Sequence, residues 1–182
     1  MLILKSRLTE EEYFDFNYYT AWATPAKKSY RIWYALRTVF WYAVIAGIYL
    51  FAVLKGDLFP GLAIFGVTTL AYFLLVPTLV KRGVRQSVRT TLEQPENRHI
   101  LEESEIVLMD TGIIDKDTAS ESKYTWEAIV RKAETPSSYY LYTNSHHAIV
   151  IPKRVLISPQ EKQELQRLLD QHLPLSSEFP ER

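Results

Sequence analysis

Two apolar runs stand apart from the mixed polar and apolar positions elsewhere in the chain. Thr38 to Leu54 and Leu58 to Val80 contain no Asp, Glu, Lys, Arg or His, and only Lys55-Gly56-Asp57 separates them. Each has about the 17–25 residues that an α-helix needs to cross a hydrocarbon core about 30 Å thick. The pattern predicts a transmembrane helical hairpin with spans at about 38–54 and 58–80. Trp33, Tyr34, Trp41 and Tyr42 then fall near one membrane interface, with Arg31 and Arg37 placed to snorkel toward phosphates. Thr68 and Thr69 are expected to bond their own helix backbone.

Shorter periodicities flank the hairpin. Leu2-Ile3-Leu4 suggests an extended segment. Thr9 and Glu12 have the spacing of a capping box, predicting an amphipathic helix from about Glu10 to Trp22. Its many rings, Tyr13, Phe14, Phe16, Tyr18, Tyr19 and Trp22, require cover. Packing on the rest of the protein is favoured over headgroups, because anionic lipid would repel the acidic first turn. Thr24-Pro25 ends this helix, and the next begins near Ala26. Beyond Val80 the second span continues to about Gln94, with Val84, Val88 and Leu92 on one stripe and Arg85 and Arg89 on another face.

From Arg98 the pattern changes to short β-prone pieces: 99–101, 106–109, 112–114, 123–126, 129–134, 139–143 and 147–151, the last two forming a hairpin around Asn144-Ser145. Ser158, Pro159 and Glu161 then start a helix with Leu165, Leu168, Leu169 and Leu173 on one stripe, stopped at Leu173-Pro174 before a frayed tail 176–182. The fold class is therefore an α+β membrane protein: an N-terminal amphipathic helix, a transmembrane hairpin, and a C-terminal antiparallel sheet or barrel capped by one helix. A pleckstrin-homology-like barrel fits the last part. The implied divisions are 1–24, 25–94 and 95–182.

Charge adds orientation. The 182 residues hold 21 basic and 21 acidic side chains, so no bulk field suggests nucleic acid as a partner. Lys27, Lys28, Arg31 and Arg37 precede the first run, however, and Lys81, Arg82, Arg85 and Arg89 follow the second. Retention of positive residues on the cytoplasmic side places both termini in the cytoplasm and the Lys55–Asp57 turn outside. The lack of cysteine removes disulfides and thiolate chemistry.

Against this background the chain resembles the YcxB-like family of bacterial membrane proteins. The likeness begins at Leu8-Thr9-Glu10-Glu11-Glu12-Tyr13 and runs through both spans. It is most recognisable in Tyr124-Thr125-Trp126-Glu127-Ala128-Ile129, Tyr139 to Tyr142, and Ala148-Ile149-Val150-Ile151-Pro152-Lys153-Arg154. It implies an inner-membrane location and a C-terminal domain similar to bacterial pleckstrin-homology-like domains. The family has no established activity, so no mechanism follows.

Candidate chemistry is sparse. His146-His147 are adjacent on a strand and point to opposite faces; with no cysteine to help, no metal or other cofactor is expected. No Gly-rich phosphate loop occurs, and Ser137-Ser138 has no base that the sequence can place. Trp126, Tyr140 and Ile149 are read as structural core. Lys153 and Arg154, with Arg131, Lys132, Arg85 and Arg89, are the candidate contacts for lipid headgroups or a partner. The expected function is a non-catalytic scaffold or regulator held at the membrane, with a protein partner or a second copy of the chain as well as lipid. Anionic-lipid sensing is the first alternative, and an enzyme acting on a membrane substrate is the second.

Overall fold

The computed structural model describes residues 1–52, 58–118 and 120–173. The expected turn Lys55-Gly56-Asp57, the stop at Pro174 and the tail 176–182 lie outside the described residues. The chain divides into a strand-rich unit, Met1–Ala21 with Gln86–Arg182, and a helical unit, Trp22–Arg85.

In the strand-rich unit the N-terminal segment is a true strand, β1 (Leu2–Arg7). It pairs antiparallel with β2 (Glu103–Met109), which pairs with β3 (Gly112–Lys116) and then β4 (Glu121–Tyr124). Leu2, Leu4 and Ser6 are buried while Ile3, Lys5 and Arg7 are exposed, so a slip of one residue would turn the core face to water. The outer face adds a second constraint. Lys5, Glu105, Lys116 and Glu121 are successive cross-strand neighbours of alternating charge, an arrangement each strand pair favours. Gly112, at φ +153°, allows the β2–β3 connection to pass close to β4; a Cβ there would lie 2.3 Å from the Tyr124 carbonyl oxygen.

A separate three-stranded sheet holds β5 (Arg131–Glu134), β6 (Ser138–Tyr142) and β7 (Ala148–Pro152), in that order. Helix α4 (Pro159–His172) starts from the expected Ser158–Glu161 capping box, with both reciprocal bonds made. One continuous core joins Leu4, Leu108 and Ile113 of the first sheet, Leu141, Ile149 and Ile151 of the second, and Leu165, Leu168 and Leu169 of α4.

The second sheet is also covered on its other face. Tyr140, Tyr142 and Val150 meet Phe16 of α1 (Glu10–Tyr18), with Phe16 edge-on to Tyr140 at 5.5 Å between ring centres. Tyr19 lies 5.4 Å from Tyr140. The aromatic helix thus packs on protein. It does not run as a plain α-helix to Trp22: residues Tyr19–Ala23 form a π-helical turn. Within that turn, the buried Thr20 hydroxyl sits 2.8 Å from the Tyr142 hydroxyl.

Several expectations change. The sheets do not close into a barrel: among the described residues they are two antiparallel sheets of four and three strands. Residues 99–101 are not a strand but the end of a 3₁₀ segment, Pro95–Leu101. Pro95 suits its first turn, and the Asn97 amide donates to the Thr91 carbonyl and the Gln94 side chain. Trp126 falls in a 3₁₀ turn, Trp126–Ala128, after β4 rather than in that strand, and β5 starts at Arg131 rather than Ile129.

The helical unit is built from α2 (Lys28–Ala52), which follows a 3₁₀ turn at Pro25–Lys27, and from α3 (Leu58–Glu93), which passes through Pro77. Both are long and apolar enough to cross a membrane, over Lys28–Tyr49 and Gly61–Glu93, and neither window is buried. Tyr42 stacks on Phe65 at 5.3 Å and its hydroxyl bonds that of Thr68. Thr68 also donates to its own helix at the Ile64 carbonyl, 2.7 Å away, as expected of threonine in an apolar helix. The Thr69 hydroxyl, expected to do the same, makes no hydrogen bond among the described residues.

Candidate functional site

The strand-rich unit holds most of the candidate contact residues, and strand geometry separates them. Successive residues of β5 point to opposite faces. Arg131 turns toward α1, its guanidinium 3.9 Å from the centre of the Tyr142 ring. Lys132 turns the other way, to Asp170 of α4 at 3.1 Å. Lys153 pairs with Glu134 at 2.6 Å and lies over the Tyr139 ring. On α3, Arg89 pairs with Glu93 at 3.0 Å, and Arg85 is exposed. Arg131 and Lys132 are therefore on opposite faces of β5, and Lys132, Lys153 and Arg89 each have a carboxylate partner.

Arg154 is the exception in what it organises. Its Nε and Nη2 donate to Glu12 Oε1 and Oε2 at 2.6 and 2.9 Å, and Nη2 also donates to the Arg7 carbonyl at 2.5 Å. Glu12 also accepts from the Thr9 backbone N–H at 2.9 Å, while the Thr9 hydroxyl accepts from the Glu12 N–H. One carboxylate thus completes the cap of α1 and ties the helix to the chain after β7. The hydrogen bond from Arg154 is the main reason the Glu12 carboxyl lies below its usual range, with the Thr9 cap adding to it against the opposing effect of burial. The sequence revealed the cap but not the arginine, 142 residues away.

An open cleft of about 440 Å³ adjoins this pair, lined by Arg7, Leu8, Thr9, Glu10, Leu101 and Arg154. Arg7 spans it, donating from Nε to the Leu101 carbonyl at 2.9 Å. Leu8 and Leu101 are half-buried beside these guanidinium groups, giving a surface that is part apolar and part cationic. Its residues come from the N-terminal segment and from the 3₁₀ segment that the sequence suggested was a strand. No local motif announces such a place.

The remaining candidates are structural in their surroundings. Trp126 is 5% exposed; its Nε1–H donates to the Met109 carbonyl at 2.9 Å, and its ring stacks on His172 at 4.8 Å. Tyr140 and Ile149 are buried in the two cores. Asn144 Oδ1 accepts from the backbone N–H of both His146 and His147, so the histidine pair belongs to a side-chain-stabilised turn. Burial pushes the Asp115 carboxyl up, and Asp117 adds to this, against an opposing contribution from His147.

A family model described as YcxB-like protein matches residues 108–169, from β2 into α4. The segments around Trp126, Tyr139–Tyr142 and Ala148–Arg154 fall inside that match; the capping segment Leu8–Tyr13 and both apolar helices fall outside it. No curated protein and no solved structure matches the chain.

Proposed function

From the premise that this chain carries a YcxB-like domain, we propose that it is a non-catalytic scaffold or regulator, anchored by α2 and α3 in a bacterial inner membrane. Both termini and the strand-rich unit face the cytoplasm. One observation carries the anchoring: the apolar windows of α2 and α3 contain no buried residue, and helices of that length and composition are stable in hydrocarbon. The basic residues at the inner ends of the runs set the orientation.

Support for a binding role comes from the side chains that make the domain recognisable. Trp126, Tyr140 and Ile149 are spent on packing, and Arg154 and Lys153 on carboxylates of the same unit. That pairing favours a protein partner over lipid sensing by these two residues. The cleft beside Leu8 and Leu101, rimmed by Arg7, Glu10 and Arg154, suits a protein partner that seats an apolar side chain there.

The topology is tested with reporter fusions at Gly56 and at the C-terminus: a cytoplasmic signal from Gly56 overturns it. A photo-crosslinking residue at Leu101 tests the partner face in native membranes. Adducts there, and none from the same residue at Lys123 on β4, are the expected result. Equal labelling at both positions would count against the cleft.

A further inference from the structure

The basic residues before the first apolar run differ in what they do. Arg31 turns back: Nη1 donates to the Trp22 carbonyl, with the Thr24 carbonyl 3.5 Å away, and its guanidinium lies 5.8 Å from the Trp22 ring. Arg37 sits one residue before the uncharged run, 4.9 Å from the Trp33 ring and 5.7 Å from the Tyr34 ring. Neither a carboxylate nor a carbonyl engages it among the described residues. A ring face holds a guanidinium by its flat side and leaves the N–H donors along its edge available.

Beside it lies an open groove of about 530 Å³, lined by Tyr34, Arg37, Thr38, Trp41, Tyr42 and Ile45. These positions share one face of α2 by helical spacing. Of the groove's hydroxyls, those of Thr38 and Tyr42 are already engaged, by the Tyr34 carbonyl and by Thr68. The groove therefore runs from a single available cation, past an indole, to an aliphatic side chain. No acid occurs between Lys27 and Lys55 to compete for that cation. A guanidinium matches a phosphodiester through two parallel N–H···O bonds, and Trp41 and Ile45 continue as an acyl chain would.

We propose that this groove is a binding site for one anionic phospholipid, with the phosphate on Arg37 and the acyl chain along Trp41 and Ile45. The site is built from α2 alone and uses neither Arg154 nor Lys153. The site rests on the reading that α2 crosses a membrane, since only then does the face meet lipid.

The test uses the full-length protein, reconstituted with equimolar phosphatidylglycerol and phosphatidylcholine, extracted in mild detergent and weighed by native mass spectrometry. The wild type should retain phosphatidylglycerol about fivefold over phosphatidylcholine, the effect of one basic group near anionic lipid. Arg37→Gln should remove the preference, and Trp41→Ala should lower retention of both lipids. Lys123→Gln, altering a cation already paired with Glu121, should leave the preference intact. Equal retention of the two lipids by the wild type, or an undiminished preference in Arg37→Gln, would overturn the site. Displacement of the lipid by millimolar inorganic phosphate would also overturn it, in favour of a free-anion site. Release of the wild type from membranes by alkaline carbonate would instead overturn the anchoring that the site requires.

Discussion

Glu12→Ala removes two things at once, and their sizes can be set separately. The carboxylate's half of the reciprocal cap, the bond accepted from the Thr9 N–H, is lost at a cost of about 1 kcal/mol. The backbone N–H of residue 12 still donates to the Thr9 hydroxyl. The two-point contact with Arg154 is lost as well. Side-chain exposures of 14% for Glu12 and 50% for Arg154 make this a partly screened pair, worth up to about 1 kcal/mol. Opening of α1 should therefore become easier by about 2 kcal/mol, or about thirtyfold in its equilibrium constant. Amide exchange of Phe14 to Tyr18, measured by mass spectrometry on the full-length protein in micelles at pH 7, reads this directly. Arg154→Ala removes the ion pair and the bond to the Arg7 carbonyl but leaves the cap of α1, and should accelerate exchange about fivefold. Acid gives an independent reading. The Glu12 carboxyl is lowered from its ordinary 4.5 in the folded protein, so its contribution is complete above that value and is lost as pH falls through the lowered one. Protection of α1 should therefore fall with acid in the wild type and be less pH-dependent in Glu12→Ala. If exchange in α1 at pH 7 is the same in Glu12→Ala as in the wild type, neither the cap nor the arginine holds this helix.

Other changes address single features. Gly112→Ala places a methyl group against the Tyr124 carbonyl at a φ that L-residues avoid; the strand-rich unit should lose about 2–4 kcal/mol in urea unfolding monitored by tryptophan fluorescence. Thr20→Val keeps the shape but leaves the buried Tyr142 hydroxyl without its partner, costing about 1–3 kcal/mol and increasing exchange in residues 19–23. Trp126→Ala empties a core position and breaks the stack with His172; a loss of about 3–5 kcal/mol is expected in urea unfolding followed by circular dichroism, whereas a surface anchor would leave the midpoint unchanged.

The legible parts of the fold are those in which local chemistry decides. A long uncharged apolar run reads as a helix from its composition and length alone. The boxes Thr9–Glu12 and Ser158–Glu161 fix helix starts because the bonding groups are three residues apart. The remaining pieces depend on contacts beyond their own residues. His99-Ile100-Leu101 has β-prone composition, yet Pro95 and the Asn97 amide draw it into the turn after α3. Leu2-Ile3-Leu4 becomes a strand because β2 supplies its hydrogen bonds from about a hundred residues away. The candidate basic patch met the same limit: side-chain type identified the cations, while the carboxylates that claim Lys132, Lys153 and Arg154 lie 19 to 142 residues from them.

The failed barrel is the more instructive case, because β6 contained the warning. An antiparallel strand with one wet face alternates apolar and polar residues, whereas Tyr139-Tyr140-Leu141-Tyr142 does not alternate at all. Leu141 joins the core shared with the four-stranded sheet and α4, while Tyr140 and Tyr142 belong to the cluster with Phe16. A strand covered on both faces implies a third layer, and the only uncommitted aromatic surface in the sequence was the helix after Thr9. The surplus of rings on that helix and the missing alternation in β6 were two halves of one contact. Polar tips on the strand fit the same reading: tyrosine buries its ring and keeps a hydroxyl for a partner, which Thr20 supplies for Tyr142. The N-terminal helix is thus a layer of the strand-rich unit. Residues outside the family match at 108–169 complete a sheet that lies inside it.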